Sequence, residues 1–236
     1  MDERFLRTEL ILGKDNIEKL NKSKVIVFGC GGVGGYAIEA LARSGILNID
    51  IVDNDKVNIS NINRQIIALN STIGMDKVDV IEKRLLDINE NIIVNKYKMF
   101  YLPENMNEIN LDNYDYVIDC IDTITAKLAI IEYCYNHNIK IISCMGMGNK
   151  LNPLDIKIDD INKTSVCPLA RTIRYELRKR NIKKLKVCYS VEIPYKNDSF
   201  DEITKKNIPG SISFVPSVAG LVIASEVIKD ICNINK

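Results

Sequence analysis

The chain has 236 residues, of which 46% are apolar and 27% are charged, a balance typical of an ordinary globular domain. The charges nearly cancel, with 32 lysines and arginines against 31 aspartates and glutamates and a formal net charge of +1. No overall field marks the chain as a nucleic-acid or membrane protein, so any basic site must be local.

No apolar segment has the length or position of a signal peptide or a membrane span. The N-terminus carries mixed charges, and the longest apolar stretch, residues 215–228, is interrupted by a proline, two serines and a glutamate. We therefore expect a cytoplasmic protein that does not associate with a membrane.

In the first 145 residues, short β-branched runs alternate with helical patterns. Buried strands are predicted at residues 24–28, 49–52, 92–94, 116–118 and 139–142, and helices at residues 33–43, 77–88 and 123–136. This alternation predicts an α/β fold of the Rossmann-like, doubly wound type, with a mainly parallel sheet covered on both faces.

The pattern changes after Cys144. The second half is predicted to contain strands at residues 155–158, 185–191 and 211–215, helices at residues 164–180 and 217–231, and a loop at residues 194–209. We expect these strands to be antiparallel additions to the same sheet. The chain would then form a single domain of two halves, residues 1–145 and 146–236.

The seven cysteines are scattered, and none forms a Cys-x-x-Cys pair. This spacing predicts reduced thiols and no structural zinc. Cys30 and Cys120 are interpreted as small packing residues. Cys167 and Cys188 lie in the second half and are the candidates for a chemical role, with a purely structural role as the alternative.

A glycine-rich turn links the first predicted strand to the first predicted helix. Gly29, Gly31, Gly32 and Gly34 form this turn, and Asp53 ends the second strand. Glycines let the backbone approach a phosphate, the start of the helix attracts its negative charge, and the aspartate can accept hydrogen bonds from a ribose. The sequence therefore predicts a nucleotide site.

Further polar residues are predicted to meet at the same edge of the sheet. Asn61, Arg64 and Gln65 follow the second strand, Lys77 opens the next helix, and Asp122 follows the fourth strand. Arginine and lysine suit a triphosphate, and an aspartate can hold Mg²⁺ between phosphates. Taken singly, each has an ordinary alternative, such as Asp122 capping a helix.

Together these motifs resemble the E1-like adenylating superfamily, whose members activate a carboxylate with ATP. The resemblance rests on Gly-x-Gly-Gly-Val-Gly, the Asp53 and Asp55 pair, Asn-x-x-Arg-Gln, Gly-x-x-Lys and Asp-x-x-Asp. Within the superfamily, further segments resemble the tRNA threonylcarbamoyladenosine dehydratase branch. These segments are Arg4-Phe5 with Arg7-Thr8, Pro168-Leu169-Ala170-Arg171, Tyr189-Ser190-x-Glu192 and residues 210–217.

The resemblance implies a role for each matching residue. Residues 1–145 would bind ATP, with the glycine turn around the nucleotide and Asp53 on the ribose. Asn61 and Arg64 would contact phosphates, Lys77 would hold the triphosphate, and Asp122 would serve Mg²⁺. Arg7 would reach into the site of a partner subunit in a homodimer. The sequence departs from the family at Gly35, where a serine is usual, so one hydroxyl is missing.

The substrate implied by this branch is a tRNA carrying threonylcarbamoyladenosine. Its carboxylate would be adenylated, and its ureido group would then close a ring and release AMP. Residues 171–186 hold eight basic residues and one acid, so Arg171, Arg174, Arg178 and Lys179 are candidate RNA contacts. A solvated helix face that binds nothing is the alternative. Some relatives also have a sulfurtransferase-type partner.

Three other functions remain open at this stage. The first is adenylation of a ubiquitin-like sulfur-carrier protein, whose enzymes usually carry two Cys-x-x-Cys zinc pairs that this chain lacks. An NAD-dependent oxidoreductase would use the same glycines and Asp53 but would leave Arg64, Lys77 and Asp122 unexplained. The third is a non-catalytic nucleotide-binding or scaffold protein, which ATP-dependent release of pyrophosphate would exclude.

Overall fold

A computed structural model describes residues 2–196 and 209–234. Its centre is a seven-stranded sheet with the order β3-β2-β1-β4-β5-β7-β6. The strands are β1 (Lys24–Phe28), β2 (Asn48–Val52), β3 (Lys96–Tyr97), β4 (Tyr116–Asp119), β5 (Ile141–Cys144), β6 (Ile156–Asp160) and β7 (Lys186–Ser190). All neighbouring pairs are parallel except β6 with β7. The predicted doubly wound fold is confirmed.

Seven α-helices accompany the sheet in the described part of the chain. They are α1 (Leu6–Leu12), α2 (Lys14–Lys22), α3 (Gly34–Arg43), α4 (Lys77–Ile88), α5 (Ile124–Asn136), α6 (Pro168–Lys179) and α7 (Phe214–Cys232). Within those residues, no helix combines the length and apolarity needed to cross a membrane.

Strand β1 is buried on both faces, as a central parallel strand must be. Val25 and Val27 pack into the core cluster that contains α3, α4 and α7, while Ile26 and Phe28 pack into the cluster that contains α5. Successive side chains of a strand point to opposite faces, so the apolar run KVIVF supplies both cores at once. The ends of the parallel strands are thereby fixed at one edge, where α3 and α5 begin.

Two predicted strands lie a few residues before their observed positions. The run predicted at residues 92–94 makes only an isolated bridge from Ile93 to Asn48, and the ladder forms at Lys96–Tyr97. The Asn95 side chain donates to the buried Asp50 carboxylate (2.9 Å), which fixes this register. The strand predicted at residues 139–142 begins at Ile141, because Asn138 has a φ of 56° and the chain is still turning out of α5.

The strand predicted at residues 211–215 is wrong, because α7 begins at Phe214 instead of Ser217. Pro216 lies in the first turn of this helix, where a backbone N–H has no helical partner and its absence costs little. Of the strands in the second half, β6 is the antiparallel addition, and β7 runs parallel to β5. Most of the loop predicted at residues 194–209 lies outside the described residues.

Candidate functional site

A cavity of about 610 Å³ opens at the carboxyl edge of the sheet. This volume is within the range of small-molecule and cofactor sites. Ten residues predicted from the sequence line it together: Gly29, Gly31, Gly32, Asp53, Asp55, Asn61, Arg64, Gln65, Lys77 and Asp122. Gly34, Arg7 and the four basic residues of α6 do not line it.

The glycine turn is a place where side chains do not fit. Gly29 has a φ of 89°, and a Cβ on it would lie 2.8 Å from the Cys120 carbonyl oxygen. A Cβ on Gly34 would lie 1.8 Å from the Gly29 carbonyl oxygen. The first glycine thus lets β1 turn beside β4, and Gly34 lets α3 begin directly above β1. Gly34 shapes the turn without lining the cavity.

Asp53 ties the end of β2 to the glycine turn. Its carboxylate accepts hydrogen bonds from the backbone N–H groups of Cys30 (2.7 Å) and Asp55 (2.8 Å). The side chain is therefore fixed at the cavity wall, where Rossmann-like folds bind a ribose.

Lys77 lies in the same wall and is 5% exposed. Its Nζ donates to Asp55 Oδ2 at 2.7 Å and lies 4.0 Å from Asp53 Oδ1. The Asp55 side chain is 59% exposed, so it can turn towards solvent. A triphosphate could then take the place of Asp55 beside the Lys77 ammonium.

The segment from Asn58 to Gln65 packs against the glycine turn. Asn61 Oδ1 accepts from the Asn58 N–H, which closes a helical turn, and Arg64 donates to the Ser60 carbonyl. A Cβ on Gly32 would lie 3.5 Å from Arg64 Cγ, so the arginine stem lies beside the turn. Gln65 is buried, and its Oε1 has no hydrogen-bond partner among the described residues.

Asp122 lines the cavity on the turn between β4 and α5, and Thr123 is the N-cap of that helix. No group of three His, Cys, Asp or Glu side chains in the described ranges could hold a metal ion. Mg²⁺ is usually bound by one or two carboxylates together with substrate phosphates. Asp122 therefore suits a cation that arrives with a nucleotide.

The basic residues of α6 differ in their surroundings. Arg171 and Arg178 are exposed, and Lys179 pairs with Glu176 and lies over the Tyr175 ring. Arg174 is half-buried and donates to the carbonyls of Ile161 and Thr164 and to the Thr164 hydroxyl. Arg174 thus anchors the loop before α6. It was expected to face solvent, and the structure shows that it does not.

The cysteines named in the sequence are buried or half-buried thiols. Burial raises the pKa of Cys30 and Cys120 well above its usual value. A hydrogen bond with Cys144, together with burial, does the same for the pKa of Cys188. These groups are therefore poor nucleophiles at neutral pH. Cys167 is also buried, at 3% exposure.

Sequence reasoning missed one wall of the cavity. Met99, Phe100 and Tyr101 follow the carboxyl end of β3 and line the cavity on the Asp53 side. Phe28 and Tyr101 stack edge to face with 4.8 Å between ring centres. The signal was the apolar triplet itself, which would have pointed to the site had β3 been predicted at the correct position.

The sequence model of the ThiF family matches residues 3–236. The chain belongs to the ThiF family. It is 43% identical to the tRNA threonylcarbamoyladenosine dehydratase of Bacillus subtilis, an alignment that covers 98% of this chain and 95% of that protein. It is 32% identical to dehydratase 2 of Saccharomyces cerevisiae, over 98% of this chain and 58% of the yeast protein.

Solved structures also resemble this fold. The Escherichia coli tRNA N6-threonylcarbamoyladenosine dehydratase in complex with AMP gives a TM-score of 0.90 at 31% identity. The match covers 98% of this chain and 94% of the other. The same E. coli protein in complex with ATP gives a TM-score of 0.90 at 30% identity. E. coli MccB with ATP shares only the fold, with a TM-score of 0.70 at 23% identity.

Proposed function

We propose that this protein is an ATP-dependent tRNA threonylcarbamoyladenosine dehydratase. The observation that carries the proposal is the cavity, which is lined by the glycine turn, Asp53, Arg64 and Lys77. Relatives with the same name match the chain over nearly its whole length, and the E. coli enzyme has been solved with ATP and with AMP.

The proposed reaction has two steps. An oxygen of the substrate carboxylate attacks the α-phosphorus of ATP, and pyrophosphate leaves, so an acyl-adenylate forms. The ureido group of the same substituent then attacks the activated carbonyl and AMP leaves. Ring closure is intramolecular, so proximity drives it without a nucleophilic side chain. The high pKa of the Cys188 thiol is consistent with this route.

The residues around the cavity have distinct parts in the first step. Asp53 would bind the ribose and Asn61 would contact phosphate. Arg64 and Lys77 would stabilise the charge that develops as pyrophosphate leaves, and this requires Lys77 to exchange Asp55 for the triphosphate. Mg²⁺ held by Asp122 and the phosphates would neutralise part of the same charge. Residues 146–236 would form the side that receives the substrate.

A homodimer is part of the proposal. Helix α1 exposes Leu10 (82%) and Ile11 (84%), and Arg7 lies on the same short helix. A second copy would cover these apolar side chains, and Arg7 would enter the partner's cavity. Mixing Arg7→Ala protein with Arg64→Ala protein tests this. Random pairing should restore about one quarter of wild-type activity, because half of the dimers contain one intact site. Unrestored activity, or a monomer in sedimentation, would exclude shared sites.

We further propose that Arg171 and Arg178 contact tRNA phosphates, because they lie seven residues apart on the exposed side of α6. Charge reversal at both positions should weaken tRNA binding and lower its salt slope by about one unit per lost contact. An unchanged slope would remove this surface from the proposal. A tRNA substrate implies a cytoplasmic location. The sulfurtransferase-type partner stays a prediction.

The proposed function is tested by nucleoside mass spectrometry. Threonylcarbamoyladenosine-containing tRNA is incubated with the protein, ATP and Mg²⁺, and then digested gently. The modified nucleoside should lose the mass of one water in an ATP-dependent way. An unchanged nucleoside, with ATP–pyrophosphate exchange only in the presence of a small carrier protein, would favour sulfur-carrier adenylation instead.

A further inference from the structure

A wholly buried lysine lies beneath the candidate site. Lys127 is on the second turn of α5 and has no exposed surface, and neither do Asp119 at the end of β4 and Ser143 near the end of β5. None of these three side chains lines the cavity. They form a polar cluster that the adenylation steps described above do not use.

Every donor of the Lys127 ammonium has a partner. Its Nζ lies 2.7 Å from Asp119 Oδ2, 3.2 Å from Ser143 Oγ and 2.9 Å from the Cys144 carbonyl oxygen. Ser143 Oγ also donates to Asp119 Oδ2 at 2.6 Å, and Asp119 Oδ1 accepts from the Ile121 N–H at 3.2 Å. The cluster therefore joins β4, β5 and α5 through three side chains and two backbone groups.

A buried ion pair of this kind is not explained by stability. Removing two charges from water offsets most of their attraction, and apolar side chains of similar volume often stabilise a core as well or better. A fully satisfied buried network does fix the positions of the segments it joins.

The segments joined by the cluster form the floor of the cavity. The Asp119 carboxylate accepts a hydrogen bond from the backbone N–H of Ile121, the residue directly before Asp122. On the other side, Lys127 holds the carbonyl of Cys144, and Cys144 and Met145 line the cavity. The turn that bears Asp122 also packs against Gly29, whose Cβ position is 2.8 Å from the Cys120 carbonyl.

We propose that Lys127 is a positioning residue for adenylation, which through Asp119 fixes the turn that carries Asp122. The inference rests on the proposed function, since it assigns Lys127 to the same cavity. Lys127 touches neither nucleotide nor substrate in this role. It sets where the Asp122 carboxylate stands relative to the glycine turn and to the Cys144–Met145 wall.

The test is a double-mutant cycle. Lys127→Met with Asp119→Asn removes both buried charges and leaves an amide that can still accept from Ile121. Loss of a supporting contact of this kind usually costs about 10–100-fold in activity. We expect that loss in kcat for ATP-dependent tRNA dehydration, with the affinity for AMP within about twofold of wild type. In an Asp122→Asn background the same pair of changes should cost less than about threefold, because the two sites act as one unit.

A matched control separates position from stability. Tyr114→Phe deletes a buried hydrogen bond to Asp50 (2.6 Å) at residues that do not line the cavity. It should lower the melting temperature and leave kcat unchanged. The double variant Lys127→Met/Asp119→Asn, the neutral pair, is compared with this control. If the neutral pair behaves like the control, or loses equal activity with and without Asp122, Lys127 is only structural and the inference is wrong. Should the pair not fold, Ser143→Ala enters the same cycle with a smaller expected loss.

Failure of the proposed function is distinguishable from failure of this inference. If the wild-type protein does not convert tRNA, the proposed function is wrong, and calorimetry with Mg²⁺ and a non-hydrolysable ATP analogue decides on Lys127. The neutral pair should then bind the analogue about tenfold more weakly while AMP binding is retained. Unchanged analogue affinity would overturn the positioning role.

Discussion

Replacement of Arg64 by alanine separates catalysis from folding. The guanidinium makes two hydrogen bonds, both solvent-exposed, to the Ser60 carbonyl (2.8 Å) and the Asn63 side chain (2.9 Å). No carboxylate in the described part of the chain lies within 4 Å of it. Arg64→Ala should therefore cost less than about 1 kcal/mol of stability.

The same change should be severe for the reaction. Removing one pre-organised donor from developing transition-state charge typically costs about 2.7–4 kcal/mol, which is a factor of about 10²–10³ in kcat. Arg64→Lys should lose less, because it keeps the charge but not the planar fork. Arg43→Ala is the matched control, since this arginine pairs with Glu39 and does not line the cavity.

The assay is AMP release on modified tRNA at saturating ATP, with melting temperatures measured on the same samples. We expect Arg64→Ala to melt close to wild type with kcat reduced at least about 100-fold, and Arg43→Ala to keep wild-type kcat. An Arg64→Ala protein with normal AMP release would refute the assignment of this residue to the phosphates. A protein that has lost its fold would refute the stability reasoning.

Three further predictions concern packing, pH and thiols. Gly220→Ala places a Cβ 2.3 Å from the Val33 carbonyl oxygen, where α7 crosses α3. This overpacking should lower the free energy of unfolding, measured by chemical denaturation, by about 1–3 kcal/mol. Wild-type stability in this variant would show that the two helices can separate freely. Burial raises the pKa of Glu39, but hydrogen bonds from Arg84 and Arg43 outweigh it and leave the pKa below its usual value. The resulting stabilisation is present above the unfolded-state pKa of Glu39 and is lost as the pH falls through its folded-state pKa. Glu39→Gln should therefore make the free energy of unfolding depend less on pH on the acid side. An unchanged slope would contradict this role of Glu39. Cys30 and Cys188, buried and with raised pKa, should resist alkylation by iodoacetamide in the native protein at neutral pH, as followed by mass spectrometry; rapid labelling would contradict their burial.

The nucleotide half of the site was readable from the sequence because its signals are local. Gly29 has a φ of 89°, and Gly34 lies against the Gly29 carbonyl oxygen five residues earlier, so a turn of this kind between a strand and a helix leaves few other residue types possible. Asp53 could be placed because the carboxyl end of β2 must lie beside that turn in a parallel sheet. These expectations needed no knowledge of long-range packing.

The features that were missed depend on distant contacts. The position of β3 is fixed by Asn95 against Asp50, 45 residues apart, and apolar content alone could not show it. Arg174 is half-buried instead of exposed because its side chain donates to the Thr164 carbonyl in the loop before α6. From the sequence alone, Lys127 looks like an ordinary lysine on a helix surface, because the burial of α5 on most sides depends on distant contacts. Its place in the apolar run Ile124 to Ile131 was the only local sign.

The central claim is that the substrate carboxylate is activated as an acyl-adenylate, and isotope transfer tests it most directly. tRNA whose threonylcarbamoyl carboxylate carries heavy oxygen at both positions is converted with unlabelled ATP, and AMP and phosphate products are analysed by mass spectrometry. If the carboxylate oxygen attacks the α-phosphorus, one heavy oxygen must leave in AMP. Heavy oxygen in water or in inorganic phosphate, with AMP unlabelled, would contradict adenylation.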